Sequence, residues 1–362
     1  MRIGLDATPL IKPAGGIPRY VTELALALAR RFPADELHLL SDQPGLHLDS
    51  RLTAETNVIY EPPARSMFLG KWWSVGLPMV LKRKKIDVFH GTDFAVPYLP
   101  FTPSVMTVHD LSPWMPEPIR PPGSDRVRHR APKLFGLAKR IITPTQAVAG
   151  QLADRFSIPP AKISAILHAA RSDYQRPLDD VVTERLQLLG VPEPYLLYTG
   201  SREPRKNLAM LEGVIGRVRE KRPDAFLVEC GPGIPLEALP PGVMHLGAVS
   251  EQDLSALLSR ASAFLYPSLY EGFGLPVLEA MQAGTPVLAS NDPAVAEAAG
   301  GAALLLDARA DQLWAAEVSR LLTDPEWASE LRQKGKARAA QLTWERTAEH
   351  TRAIYERAIR GD

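Results

Sequence analysis

Two stretches of this chain gather side chains that bind anions and polyols. In residues 198–207 (YTGSREPRKN) an apolar strand pattern runs into a loop carrying Ser201, Arg202, Arg205 and Lys206, and a helical pattern follows. Cations and unpaired backbone N–H groups at a helix start converge on an anion. A diphosphate suits that geometry, with Lys as a point charge and Arg as a fork. A solvated basic loop would carry the same residues, so types and spacing leave both readings open. In residues 265–290 (LYPSLYEGFGLPVLEAMQAGTPVLAS) a strand pattern ends at Gly272 and Gly274, and Pro276 fits the first helical position. Small residues there let a ligand approach the backbone. Glu271 before the turn and Glu279 inside the helix are acceptors for sugar hydroxyls. Equally, Glu279 serves the helix macrodipole and Glu271 the surface.

His109 closes the strand pattern SVMTVHDL, and is either a site residue at the sheet's ligand edge or structural. Gly15 and Gly16 precede the first long helical pattern and either touch phosphate or make a turn. They are not part of a G-x-G-x-x-G run, so the standard dinucleotide fingerprint is absent. There is no CxxC, HExxH or DxD. Leaving-group charge is therefore expected to fall on cationic side chains and helix dipoles, with no metal.

The elements that must position these residues alternate. Strand patterns at RIGLD, ELHLLS, NVIYEP, IDVFHG, SVMTVHDL and RIITPT are interleaved with helical ones at residues 18–31, 71–84 and 145–156. Residues 169–180 lack periodicity. A second series follows in YLLYTG, FLVECG, MHLGAV, AFLYPS, PVLAS and AALLLD, with Asn207 expected to cap a helix reaching about Lys221. From about Ala310 the chain reads as helical, with breaks at Asp324-Pro325 and Thr343-Trp344. Alternation of this kind predicts α/β layers with parallel sheets, whose ligands bind at the carboxyl ends of strands. Two such sheets facing each other would make an interdomain cleft.

A length of 362 residues predicts two domains, and 45% hydrophobic with 23% charged residues is ordinary for a globular protein. A net charge of +1 gives no general case for nucleic acid. The single Cys230 cannot form an internal disulfide. Its place in FLVECG reads as inert core, and its solitude fits a reducing compartment. MRIGLDATPL is not a secretory signal, and no stretch approaches the roughly 18 apolar residues of a spanning helix. A cytoplasmic protein is expected. Trp72-Trp73 followed by Lys82-Arg83-Lys84-Lys85 reads either as a membrane-surface element or as a helix with one core face and one solvated face.

Together these segments resemble the family 4 glycosyltransferases of the GT-B fold, over nearly the whole chain. GGIPRY, DVFHG, TVHDL and TPTQAVAGQL carry the likeness in the first half. YLLYTGSREPRKNL, HLGAVSEQDLSALLSRASAFLYPS and EGFGLPVLEAMQAGTPVLAS carry it in the second, and TWERTAEHTRAIYERA resembles the family's C-terminal helix. The resemblance implies two Rossmann-like domains facing a cleft: 1–170 for the acceptor, 171–343 for a nucleotide-sugar donor, and 344–362 crossing back as a helix. It implies that Lys206, with Arg205 or Arg202, binds the donor diphosphate. Glu271 would contact the transferred sugar and Glu279 the ribose. Phe273, Gly274 and Leu275 would offer backbone N–H groups, Gly15 and Gly16 would approach the phosphates, and His109 would lie near the reacting carbon. Many members carry Arg directly after the strand's glycine, where this chain has Ser201.

The activity so implied is retaining, metal-independent transfer of a hexose or deoxyhexose. The PRKN style points to a GDP-linked donor such as GDP-mannose. The acceptor would be a glycan or lipid-linked glycan of bacterial surface polysaccharide synthesis, with no nucleic-acid partner; peripheral membrane contact at the inner face is the expectation raised by the Trp72-Trp73 and Lys82–Lys85 stretch alone. The alternatives are a sugar-nucleotide 2-epimerase on the same fold and a non-catalytic nucleotide-sugar-binding protein. The first-domain loops at residues 60–70 and 112–132 match nothing specific.

Overall fold

A computed structural model describes residues 1–61, 71–233 and 239–361. Most of the loop at residues 60–70 therefore lies outside the described residues. The chain forms two compact units. One comprises Met1–Trp114, Pro121–His168 and Thr343 to the C-terminus; the other comprises Met115–Arg120 and Ala169–Leu342.

In the first unit the elements run β1 (Arg2–Asp6), α1 (Gly16–Arg31), β2 (Glu36–Leu40), α2 (Ser50–Thr53), β3 (Val58–Tyr60), α3 (Leu77–Arg83), β4 (Val88–Gly91) and β5 (Ser104–Thr107). They continue with α4 (Asp125–Leu137), β6 (Arg140–Thr143), α5 (Gln146–Phe156) and β7 (Ile163–Ala165). All seven strands are parallel, in the order β3-β2-β1-β4-β5-β6-β7. Helical crossovers cover both faces of such a sheet, which is why β4, β5 and β6 are buried at every position.

The last helix belongs to this unit. This helix, α13 (Trp344–Arg360), is capped by Thr343, whose side chain accepts from Arg346 N. A buried hydrogen-bond chain ties it to the sheet. The Tyr355 hydroxyl lies 2.7 Å from His90 Nδ1, His90 Nε2 lies 2.7 Å from Thr107 Oγ1, and Tyr20 of α1 reaches the same Thr107 oxygen at 2.9 Å. Burial pulls the His90 imidazole down to about 3, so it is neutral and serves as donor on one nitrogen and acceptor on the other.

The second unit runs α6 (Asp179–Leu188), β8 (Tyr195–Thr199), α7 (Leu208–Arg219), β9 (Phe226–Cys230), β10 (Val243–His245), α8 (Glu251–Arg260) and β11 (Ala263–Tyr266). It continues with α9 (Leu275–Ala283), β12 (Val287–Ser290), α10 (Pro293–Ala299), β13 (Leu304–Leu306), α11 (Asp311–Thr323) and α12 (Pro325–Gln341). Its six parallel strands are ordered β10-β9-β8-β11-β12-β13. Tyr198, Leu211, Val214, Val218 and Trp314 pack in the core that α7 and α11 share with this sheet.

Both orders are those of a doubly wound Rossmann fold. The chain steps outward from the first strand of each sheet, then returns to its other side. This leaves a switch point between β1 and β4 in one unit and between β8 and β11 in the other, and ligands bind where the loops diverge at such points. In the second unit the loops leaving β8 and β9 cross so closely that a Cβ on Gly231 would sit 2.0 Å from the Gly200 carbonyl oxygen. Only glycine fits there.

Candidate active site

The two loops that flank the second switch point are residues 200–207 after β8 and 267–274 after β11. They are stitched together by backbone and side chain. Leu269 N donates to Arg205 O at 2.7 Å. Asn207 adopts left-handed backbone (φ 57°) at the start of α7, but its amide does not cap that helix. It donates instead to Pro267 O at 3.3 Å and Ala308 O at 2.7 Å.

This stitching brings Lys206, Arg205 and Glu271 together. Lys206 Nζ lies 2.5 Å from Glu271 Oε1, and Arg205 NH1 lies 3.2 Å from Glu271 Oε2. Lys206 also donates to the Tyr266 hydroxyl at 3.1 Å and stands 5.3 Å from that ring's centroid. Burial alone would raise the Glu271 carboxyl. Lys206 and Arg205 outweigh it and bring the group down to about 2. Glu271 is therefore a buried carboxylate shared by two cations. Its backbone N donates to Asp292 Oδ2 at 3.3 Å, while Asp292 Oδ1 caps α10 through Ala294 N and Val295 N. Burial pushes Asp292 up to about 6.

Arg202 goes elsewhere. Its guanidinium pairs with Glu229 at the end of β9 and with Glu212 of α7, the latter at 2.6 Å. Ser201 Oγ turns to Glu203 at 3.0 Å, and Ser201 O accepts from Tyr198 OH at 2.8 Å. Of the cations in the loop, Arg205 and not Arg202 shares Glu271 with Lys206. Beside them, Gly274 has φ +100° and starts α9 with no side-chain cap; Phe273 and Glu279 are buried. An uncapped helix start next to paired cations is an anion-binding arrangement.

In the first unit, Gly15 (φ 131°) and Gly16 are exposed at the start of the sixteen-residue α1. His109 lies two residues past β5. Its Nε2 is 2.8 Å from the Thr92 carbonyl oxygen, which only an N–H can satisfy, so Nδ1 is left as the variable atom. Its ring meets Tyr20 edge-on at 4.8 Å. The Trp72-Trp73 pair is not a surface feature. Trp72 is 6% exposed among Leu40, Leu77, Val80 and Leu81, and Trp73 packs against Phe89.

The sequence profile described as Glycosyl transferases group 1 matches residues 187–338, and the one described as Glycosyltransferase Family 4 matches residues 14–173. The chain belongs to the GT-B-fold glycosyltransferases. It is 28% identical over 384 aligned positions to the O-antigen chain mannosyltransferase B of Escherichia coli, covering 98% of this chain and 100% of that one. Its fold is that of sucrose-phosphate synthase from Thermosynechococcus elongatus (TM-score 0.74, 19% identity, each chain covered in full). It is also that of Anabaena HepE in complex with UDP and glucose (TM-score 0.73, 16% identity, 98% of this chain and 99% of that one).

Two residues that support the candidate site are not marked as such in the sequence: Tyr266, which accepts from Lys206, and Asp292, which holds Glu271, while Asn207, expected as a cap, ties the two loops instead. Asp292-Pro293 does carry the sequence signature of a helix cap followed by proline at the first position. Among the described residues no group of three or more His, Cys, Asp or Glu side chains is placed to hold a metal ion. No helix among them is long and apolar enough to cross a membrane.

Proposed function

We propose that this glycosyltransferase transfers mannose or a related hexose from a GDP-linked donor to a glycan or lipid-linked glycan acceptor, with retention of configuration. The carrying observation is the pairing of Lys206 and Arg205 on Glu271 at the switch point of the second sheet. The full-length similarity to an O-antigen mannosyltransferase supports the sugar and the acceptor class. In this reading the donor diphosphate takes over the two cations, and the uncapped start of α9 at Gly274 and Leu275 donates N–H groups beside it. Glu271 then receives sugar hydroxyls, and Glu279 holds the ribose. Gly15, Gly16 and His109 are the first unit's contribution, with His109 Nδ1 turned to the sugar.

The step is a front-face displacement. The bond from the anomeric carbon to the diphosphate oxygen breaks, and the acceptor oxygen bonds to the same face. The acceptor's proton passes to the departing phosphate oxygen, so no enzyme carboxylate need become a nucleophile. Charge accumulates on the diphosphate, where Lys206, Arg205 and the helix start stabilise it. Peripheral contact with a membrane, which a lipid-linked acceptor requires, belongs to the same reading. A thermal-shift screen of nucleoside diphosphates tests the donor assignment: GDP should raise the melting temperature through linkage more than UDP or ADP. A greater shift with UDP overturns the base, and no shift with any overturns the site.

A further inference from the structure

Behind His109 the first unit holds a run of aromatic rings in mutual contact. Tyr20 of α1 lies across the His109 ring at 83°, with centroids 4.8 Å apart. His168 tilts against Tyr20 at 4.6 Å and stands 6.0 Å from His109. Trp344, the first residue of α13, stacks on His168 at 5.7 Å and 20°. Tyr20, His168 and Trp344 are all buried. The Tyr20 hydroxyl is tied at 2.9 Å to Thr107, two residues before His109. Burial pushes the Tyr20 phenol up; burial first, and then His109, pulls the His168 imidazole down, so both rings are neutral.

This packing meets a need that hydrogen bonding leaves open. The bond from His109 Nε2 to Thr92 O holds one atom of the imidazole. A hydrogen bond tolerates roughly 30° of misalignment and the outer torsion of histidine is broad, so that bond alone leaves the ring plane and the aim of Nδ1 loose. A flat ring pressed across the imidazole removes the freedom. Tyr20 can do so because it is itself clamped, by Thr107 at its hydroxyl and by His168 on its ring, with Trp344 closing the stack. An aliphatic side chain would fill the same space without defining a plane.

We propose that Tyr20 and His168, backed by Trp344 of the last helix, are positioning residues that fix the plane of the His109 imidazole and so the direction of Nδ1. This rests on the role of His109 in the functional reading. It also gives α13 a part in the site, since that helix supplies the rear of the stack. Displacing a reacting group by about 1 Å can cost roughly a hundredfold in rate, so loss of the stack should appear in kcat.

The test compares Tyr20→Leu, Tyr20→Phe and His168→Leu in the full chain. One readout is GDP-mannose turnover. The other is proton–nitrogen NMR of the His109 ring in mildly alkaline buffer, its signals identified by their absence from His109→Ala. In the wild type the Nε2 bond should select a single tautomer, protonated at Nε2. Tyr20→Leu and His168→Leu should each lower kcat at least about tenfold with donor KM within about twofold, the mark of a lost transition-state contact. Both should also shift or broaden the His109 signals towards a mixture of tautomers. Tyr20→Phe keeps the ring and loses only the Thr107 bond, so it should retain most of kcat and the wild-type signals. A purely structural role would lower the melting temperature of the leucine variants and leave kcat and the His109 signals unchanged, and that outcome overturns the proposal. So do equal losses in Tyr20→Phe and Tyr20→Leu, since the ring is then not what counts. If Tyr20→Leu does not fold, His168→Leu decides on the same two readouts. Full activity of His109→Ala overturns the functional reading of His109, and the NMR readout then still upholds or overturns the positioning.

Discussion

Lys206 and Glu271 meet at 2.5 Å although 65 residues separate them in the chain, because each sits on a loop leaving one of the two strands that flank the second sheet's switch point. Without donor, Glu271 supplies the negative charge that the cationic loop needs to stay assembled. Lys206→Ala removes the ammonium but leaves Arg205 on the carboxylate. Turnover of nucleotide sugar should fall at least about a hundredfold, the usual scale for one preorganised charge contact in a transition state. The measurement is steady-state release of nucleoside diphosphate. Near-normal turnover would remove Lys206 from the proposed machinery.

The Glu271 carboxyl, at about 2 against an ordinary 4.5, also makes a pH prediction. A depressed carboxyl contributes stability that is complete above its unfolded value and is lost as pH falls toward the folded one. For this shift the contribution is about 3 kcal/mol. Asp6 and Asp292, both raised to about 6 by burial, act in the opposite sense and lower stability as pH rises through their folded values. Glu271→Gln should therefore melt below the wild type at neutral pH. The gap should close as pH drops below about 4, where the wild type loses the same interaction. Melting curves across pH check this, and a gap that persists unchanged into acid would contradict it.

Arg205 and Arg202 are three residues apart and have different partners, so their loss should show in different assays. Arg205→Ala strips one of two cations from Glu271 and should lower kcat by roughly a hundredfold; Lys206 stays on the carboxylate, so only part of that interaction's stability is lost. Arg202→Ala leaves Glu229, which is 1% exposed, as a buried carboxyl without its cation. That carboxyl, already raised to about 7 by burial, then takes up a proton, and a neutral buried group short of a partner costs on the order of 1–3 kcal/mol, so the melting temperature should fall while the folded enzyme turns over within roughly tenfold of wild type. The reverse pattern would exchange their roles.

The fold was legible where its physics is local. YLLYTG, FLVECG and AFLYPS are apolar runs because a parallel sheet covered on both faces leaves no polar side, and they became β8, β9 and β11. Gly284, at φ 82°, closes α9 in the left-handed conformation that glycine supplies at a helix end. The helices α4 and α6 were not legible. DRVRHRAPKLFGL buries only Ala131, Leu134 and Phe135 and has Pro132 inside it, and DDVVTERLQL buries only Val182 and Leu186. Such narrow apolar stripes do not stand out from a polar loop. At the site, the motifs marked the right loops but not the partners of each side chain. The sequence leaves Arg202 and Arg205 equivalent. What separates them is Glu229, brought under Arg202 by the pairing of β8 with β9, and Asn207, whose amide serves the neighbouring loop and not its own helix.

His109 offers a test that depends on which ring nitrogen does the work. Its Nε2 is held at 2.8 Å by the Thr92 carbonyl oxygen, itself part of the buried turn after β4, so the ring cannot present that atom to a ligand. If Nδ1 contacts the sugar, an asparagine, whose amide reaches the Nδ1 position, should keep more activity than a glutamine, whose amide reaches toward Nε2. His109→Ala should lower kcat by roughly a hundredfold, in the range for a single positioned proton donor or acceptor. His109→Asn should recover part of that loss, and His109→Gln should recover little, with donor KM changing less than kcat throughout. Equal activity of the asparagine and glutamine variants would count against a role for Nδ1, and full activity of all three would make His109 a structural partner of Thr92 and Tyr20 alone.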